Sequence, residues 1–414
     1  MGAYLARIDA TPAKARWALV RNWIFTEPLP FFAEMRVERP VLVLPELTIA
    51  FRHADCMAIL RRHQSFGVDL YKPKQGDYFM AQDDTAVHWR EKSIMKTVLD
   101  KEDVPTIRKW VGDATAKALK AGKGDIEAVR SITRGVPVSL VQHWFGFADA
   151  NPDKLIEWAY WNQQDAFWNQ PFDAPFVKDP QAIIDNRQKA SVMLGLYLAR
   201  LVAKRTIAVK LGSDANDPVT RLLKLAFSDA LRFNVKNVLF NVGGLLIGAT
   251  ETTSHCVTNA LEFLLARPDL LASARSAATL PDHRLFDGHV YEALRYRPAF
   301  PYYFRTCHVP TTFAAETAFP VTVNPGTTVL AMTHSAMFDV AGFPDPDKFV
   351  PGRDQSDSFT FGQGIHSCLG QAIASVMVPE IVRQLVLRAD LSAPAPPDYR
   401  GGRVPESWRL KYRP

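Results

Sequence analysis

Apolar residues recur at helical spacing from about Trp89 to Arg267. The pattern breaks where a polar residue meets proline, near Asn151-Pro152, Gln170-Pro171 and Asp179-Pro180, and again over Asp214 to Pro218. Proline lacks an amide hydrogen but is tolerated in a helix's first turn, so these sites predict where one helix stops and the next begins. The longest pattern runs from about Asn234 to Ala266 and stops before Pro268. At 1.5 Å per residue it predicts a helix of roughly 50 Å, long enough to cross the whole molecule.

Outside this helical middle the pattern changes. Val41 to Leu44 and Leu47 to Phe51 read as two short strands parted by Pro45-Glu46, followed by a helix containing Ala54 to Leu60. From Phe66 to Asp84 there is no clear period, which predicts a long loop of the kind compact domains keep for binding. Further on come a helix carrying Tyr291 to Arg295, short strands near Val321 and over Thr328 to Ala331, and a final helix from about Gln371. Ala393 to Pro397 reads as a surface loop before a short C-terminal strand region. No repeat and no separating linker is visible, so residues 1–414 are expected to form one mainly α domain with small β-sheets.

The most informative stretch is Phe361-Gly362-Gln363-Gly364-Ile365-His366-Ser367-Cys368-Leu369-Gly370. Two glycines ahead of the cysteine permit a tight turn whose backbone can approach a flat ligand. Cys368 would sit just before a helix, where backbone N–H groups favour a thiolate. An isolated cysteine is more often a buried apolar residue, and the surrounding glycines and histidine weigh against that here.

This segment resembles the cysteine-ligand loop of cytochromes P450 and matches Phe-x-x-Gly-x-His-x-Cys-x-Gly at every defined position. The resemblance implies that Cys368 ligates the iron of haem b (iron protoporphyrin IX), the thiolate-bound haem whose electron push favours O–O cleavage. It further implies that Phe361, Gly364, His366 and Gly370 shape the cofactor site, that Arg305 binds a propionate, and that the fold is a single P450 domain. Asp84-x-x-x-His88 with Arg90 and Lys92 resembles the start of a helix that also contacts propionates. Lys92 stands where the family more often has Arg, so a bidentate fork is lost. Alone, these three would read as a solvated helix face.

Two further motifs agree with the resemblance. Glu292 and Arg295, three residues apart on one helix face, match its Glu-x-x-Arg pair, and Phe343-x-x-Pro346-x-x-Phe349 with Arg353 matches the segment that packs on it. A buried charge network is expected from Glu292, Arg295 and Arg353, structural rather than catalytic. In the long helix, Gly248-Ala249-Thr250-Glu251-Thr252-Thr253 is poor helix material and resembles the family's acid–alcohol motif. The implied catalytic residues are Thr252, hydrogen-bonding activated oxygen, and Glu251, feeding protons from a water channel on another helix face. Ala249 stands where glycine is common, and Ser375 and Met377 replace a common Arg and Glu. By position in the family, a compact apolar pocket would draw on Phe79, Met80, Phe167, Leu245, Gly248, Phe300 and Tyr302.

With 47% hydrophobic and 22% charged residues the chain has the balance of a globular protein with a large core. Its net charge of +6 is spread out, which gives nucleic-acid binding little support. The four cysteines are too far apart for a zinc site or a redox pair. Neither a leader segment nor a membrane span is visible, so a cytoplasmic, monomeric protein without membrane contact is expected. No flavin or iron–sulfur segment is present, so electrons are expected indirectly from NAD(P)H, through a ferredoxin-type donor with a separate reductase docking on the basic cysteine-side face. The expected reaction is insertion of one oxygen atom from O2 into a small or medium hydrophobic substrate. Two alternatives stay open at this level, a peroxide-driven peroxygenase and a haem protein that only binds or senses a small ligand. Glu251 and Thr252 weigh against the peroxygenase, because peroxide already carries the protons they would supply.

Overall fold

The computed structural model describes residues 2–83, 86–99 and 101–414. Three helices open the chain, Ala3–Ala10, Ala13–Thr26 and Pro28–Glu38, for which the sequence reading named no element. Their apolar faces meet in an aromatic cluster of Trp17, Trp23, Phe31 and Phe32 that packs against the main β-sheet through Phe51 and Phe304.

The expected helix boundaries coincide with the prolines. Helices run over Pro152–Trp168, Pro180–Lys210 and Pro218–Ala226, each with proline in its first turn. Asn151, Asp179 and Asp217 cap them by accepting hydrogen bonds from the backbone amides of Lys154, Ala182 and Thr220. The long helix spans Val235–Leu265, capped by Asn234, which accepts from the amides of Lys236 and Asn237. It packs against Pro152–Trp168 and Pro180–Lys210, and also against Gly135–Trp144, Arg284–Tyr296 and Gln371–Val386. A helix surrounded on all sides must be apolar almost all round, and Val238, Val242, Leu246, Val257, Leu261 and Leu264 are fully buried.

The principal sheet has five strands in the order Val41–Val43, Thr48–Ala50, Thr328–Ala331, Tyr303–Cys307 and Phe66–Gly67. Thr48–Ala50 pairs parallel with Thr328–Ala331, with Ile49 opposite Leu330, and the other pairings are antiparallel. Two smaller ribbons pair Asp125–Glu127 with Arg409–Lys411 and Thr311–Phe313 with Val321–Val323. The segment expected as a loop after Phe66 carries a short strand, the four-residue helix Lys72–Gln75 and one turn at Phe79–Ala81. The fold is thus mainly α with small sheets. Its sheet strand Tyr303–Cys307, the middle of the long helix and the cysteine loop close around one cavity.

Candidate active site

The cavity has a volume of about 800 Å³. Cys368 opens onto it from the loop before helix Gln371–Val386, and Gly248, Ala249, Thr252 and Thr253 open onto it from the long helix. The cysteine loop turns because Gly362 and Gly364 take φ of +66° and +73°, a left-handed conformation that residues with a side chain adopt only under strain. At Gly364 a methyl group would also run into the Leu60 carbonyl. The Cys368 amide donates to the Phe361 carbonyl at 2.8 Å, closing the loop. Cys368 is accessible only because it faces the cavity and is otherwise deep in the protein. The helix start does not dominate its chemistry as expected. Burial raises the thiol's pKa, with the Gly370 amide and the Lys92 ammonium acting the other way.

One rim of this site is rich in buried basic groups. Arg305 is 6% exposed and borders the cavity, and its guanidinium donates to the Phe304 carbonyl at 2.8 Å. His366 borders it too, with neither ring nitrogen in a hydrogen bond. Its Nε2 stands 3.5 Å from Asp83 Oδ1, long for such a bond, and burial pushes the ring's pKa down to about 4. Lys92 and His88 are placed differently from expectation. They lie behind the loop rather than on the cavity wall, where the Lys92 ammonium donates to the Ile365 and Ser367 carbonyls and His88 Nε2 is 3.3 Å from the Ile365 carbonyl. Burial, with Lys96 nearby, pulls Lys92 down to about 8. Asp84, the first residue of that motif, lies outside the described residues. Arg90 turns to Glu91 at 3.6 Å. Buried bases opposed by one half-buried acid suit a ligand bringing carboxylates to this rim. A flat cofactor with acidic side arms, which Cys368 would hold, fits the residues present.

On the long helix, Thr252 and Glu251 face different ways. The Thr252 hydroxyl donates to the Gly248 carbonyl at 2.5 Å and borders the cavity. Glu251 is 1% exposed and points away from it. Where an open water channel was expected, the structure places Arg134, whose Nε and Nη2 lie 3.0 and 2.9 Å from Glu251 Oε2. Glu251 Oε1 has no partner among the described residues. Arg134 also reaches Glu406 at 3.5 Å and the Pro405 carbonyl at 3.1 Å. It is delivered by a widened turn over Val129–Thr133, in which the Arg134 amide donates to the Val129 carbonyl at 2.8 Å. Such π-type turns often mark functional positions, and this one also sets Thr133 against Ser254 of the long helix at 2.7 Å. Burial, only partly offset by Arg134, raises the Glu251 carboxyl to about 7. No motif in the chain marks Arg134, which lies 117 residues from Glu251.

Of the expected substrate-pocket residues, Met80, Phe167, Leu245, Gly248 and Phe300 border the cavity. Two do not. Phe79 is fully buried in the main core, and its neighbours Tyr78 and Met80 face the cavity instead, Tyr78 lying against Gly244. Tyr302 belongs to the N-terminal aromatic cluster, while Tyr303 borders the cavity. Both corrections have one cause. Bulk and aromaticity do not tell core from cavity wall, and successive residues in an extended or tightly turned chain face opposite ways. Phe300 stacks on Trp168 at 5.6 Å and meets Phe167 at 4.9 Å, making an aromatic wall.

Glu292, Arg295 and Arg353 come together behind the site. Glu292 accepts from Arg295 through two bonds of 2.9 Å, from Arg353 at 3.1 Å and from the Val350 amide at 2.9 Å. The remaining guanidinium donors reach the Met337, Pro346 and Lys348 carbonyls from Arg295, and the Pro344, Asp345 and Lys348 carbonyls from Arg353. The network pins the irregular stretch from Phe343 to Arg353 onto helix Arg284–Tyr296.

Comparison with known proteins yields concordant matches. The Cytochrome P450 family profile matches residues 22–398. Cytochrome P450 monooxygenase PikC of Streptomyces venezuelae is 28% identical over 292 residues, 69% of this chain and 61% of that protein. Erythromycin C-12 hydroxylase of Saccharopolyspora erythraea is 25% identical over 394 residues, 93% of this chain and 90% of that one. A mutant of P450 EryK in complex with erythromycin B superposes with a TM-score of 0.77 at 21% identity, covering 94% of this chain and 97% of that one. CYP109E1 from Bacillus megaterium in complex with testosterone gives 0.76 at 18% identity, over 94% of this chain and 99% of that one. With the profile spanning most of its length and the same fold shared with solved members, this chain belongs to the cytochrome P450 family of monooxygenases.

Proposed function

We propose that the protein is a haem-thiolate monooxygenase of 1–414 in one domain, inserting one oxygen atom of O2 into a small or medium hydrophobic molecule. The observation that carries this reading is that Cys368 and Thr252, from separate elements, open onto one mostly apolar cavity. Iron protoporphyrin IX bound there would supply the activation of O2 and the one-electron chemistry.

The chain's own residues then have distinct tasks. Cys368 Sγ would hold the iron, in a loop shaped by Phe361, Gly364 and Gly370. Arg305 and His366 receive the carboxylate arms, and His88 and Lys92 support the loop from behind by holding the Ile365 and Ser367 carbonyls. Thr252 presents its hydroxyl oxygen to the cavity, where it would accept or hand on a proton beside the reacting centre. Glu251, poised near neutral pH, passes protons inward from the side of Arg134 and Glu406, the latter side chain being 16% exposed. Leu245, Met80, Phe167 and Phe300 exclude water and press an apolar substrate toward the reacting centre. The electrons come from NAD(P)H through a separate reductase and a soluble ferredoxin-type protein, whose acidic surface suits a chain of net charge +6. A monomer working in the cytoplasm completes the proposal. Among the described residues no helix is long and apolar enough to cross a membrane.

The test is the Soret spectrum of the dithionite-reduced protein under carbon monoxide, for the natural chain and for Cys368→Ser. A red-shifted, thiolate-type band that disappears in the variant is expected. A band unchanged by the substitution, or no haem at all, overturns the assignment.

A further inference from the structure

Part of the cavity wall is not apolar. Where helices Pro152–Trp168 and Pro180–Lys210 meet the short helix Lys72–Gln75, the lining includes Lys74, Asn162, Gln163, Arg187 and Ser191. Asp165 lies at the centre of this group with its side chain 1% exposed. Its Oδ1 accepts from Lys74 at 2.9 Å and from Asn169 at 2.9 Å, and its Oδ2 from Arg187 Nε at 3.0 Å. Two cations against one anion leave this pocket wall with one surplus positive charge.

Counting donors shows where that surplus points. An ammonium has three, and Lys74 uses them on Asp165 Oδ1 and on the Asp165 and Asn169 carbonyls, both at 2.7 Å. The Ser191 hydroxyl donates to Asn162 Oδ1 at 3.0 Å, and Asn162 Nδ2 donates to the Trp158 carbonyl at 2.8 Å. Arg187 is different, because only its Nε is engaged, and neither Nη has a protein partner among the described residues. Gln163 is 3% exposed, and its Nε2 is buried without a hydrogen-bond partner. The guanidinium fork of Arg187 therefore borders the cavity unanswered, whereas Gln163 Nε2 has no surface open to it. Lys236 also borders the cavity but is largely exposed and pairs with Asp77 at 3.2 Å, so it adds nothing here.

We propose that the substrate is a hydrophobic molecule carrying a carboxylate, which Arg187 Nη1 and Nη2 bind as a fork. A carboxylate offers two coplanar acceptor oxygens and one negative charge, matching the unused donors and the surplus charge together. A neutral substrate would cover the Arg187 side chain, already only 17% exposed, and leave its two free nitrogens without an acceptor, which is costly. Lys74 and Asp165 are positioning residues, since they orient Arg187 and do not themselves present free donors. The inference rests on the monooxygenase reading, for it supplies the recognition end of the same cavity.

The test uses the haem-loaded full chain with two matched pairs, decanoate against decanamide and 4-phenylbutanoate against 4-phenylbutanamide. Binding is followed by the spin-state change in the Soret region and independently by calorimetry. At least one acid is expected to bind tenfold or more tightly than its own amide. That preference should shrink to within about threefold in Arg187→Gln and persist in reduced form in Arg187→Lys. If no acid is preferred over its amide, or if the preference survives in Arg187→Gln, the proposal is overturned. Should Arg187→Gln fail to fold, Arg187→Lys decides: a preference undiminished from the natural chain overturns the proposal. The carbon monoxide band separates this from the broader reading: a normal thiolate band with no acid preference sinks the carboxylate site alone, and an absent band sinks the haem-thiolate assignment.

Discussion

Replacing Glu251 by Gln keeps the shape of the side chain and removes the titrating carboxyl that precedes Thr252. Burial raises that carboxyl from the ordinary glutamate value of 4.5 to about 7, Arg134 opposing the rise. At neutral pH the group is therefore divided between its two forms, which is where a proton carrier both accepts and releases most readily. Turnover with O2, saturating reductase and NAD(P)H should show a break near pH 7 in the natural protein. In Glu251→Gln it should fall by about a hundredfold to ten-thousandfold and lose that break. The same shift has a stability consequence of definite sign. Between pH 4.5 and about 7 the folded chain holds a proton that the unfolded chain has released, so stability drops as pH rises through that interval, by about 3 kcal/mol in total. The glutamine variant lacks this contribution, so its denaturation midpoint relative to the natural chain should improve steadily up to about pH 7 and then level off. Product per NAD(P)H consumed separates slowed proton delivery from slowed electron supply. A variant that keeps both the rate and the break near pH 7 would refute the proton-carrier role.

Two other substitutions probe the frame around the site. Glu292→Gln places an amide among Arg295, Arg353 and the Val350 amide, leaving two buried guanidinium groups without a countercharge. It should cost about 3 to 5 kcal/mol in denaturant unfolding, and a loss under about 1 kcal/mol would show that the network does not hold the segment from Phe343 to Arg353. Gly364→Ala puts a side chain at φ +73° against the Leu60 carbonyl, so the loop must reshape and haem retention after gel filtration should drop sharply. Gly401→Ala, at φ +75° with open space around it, is the matched control and should cost only about 1 to 2 kcal/mol with normal haem retention. Equal haem retention in the two variants would mean that the close approach at Leu60 is unimportant.

What the sequence determined by itself is local. Prolines with capping residues at Asn151, Asp179 and Asp217 fixed helix starts, because a missing amide and a side-chain acceptor act within one turn. The long helix was legible from its unbroken apolar pattern, and the cysteine loop from glycines whose positive φ is a property of single residues. The Glu292–Arg295 pair was legible because three residues on a helix put both side chains on one face. Only the tertiary structure decided the rest. Which aromatic neighbour faces the cavity, Tyr78 rather than Phe79 and Tyr303 rather than Tyr302, depends on packing partners far away in the chain. Arg134 beside Glu251, and the unanswered donors of Arg187, arise where helices remote in sequence converge. Burial then sets the chemistry of those groups. A carboxyl or a guanidinium has its ordinary affinity for protons and anions in water, and gains a special one only when folding removes the water and selects its neighbours.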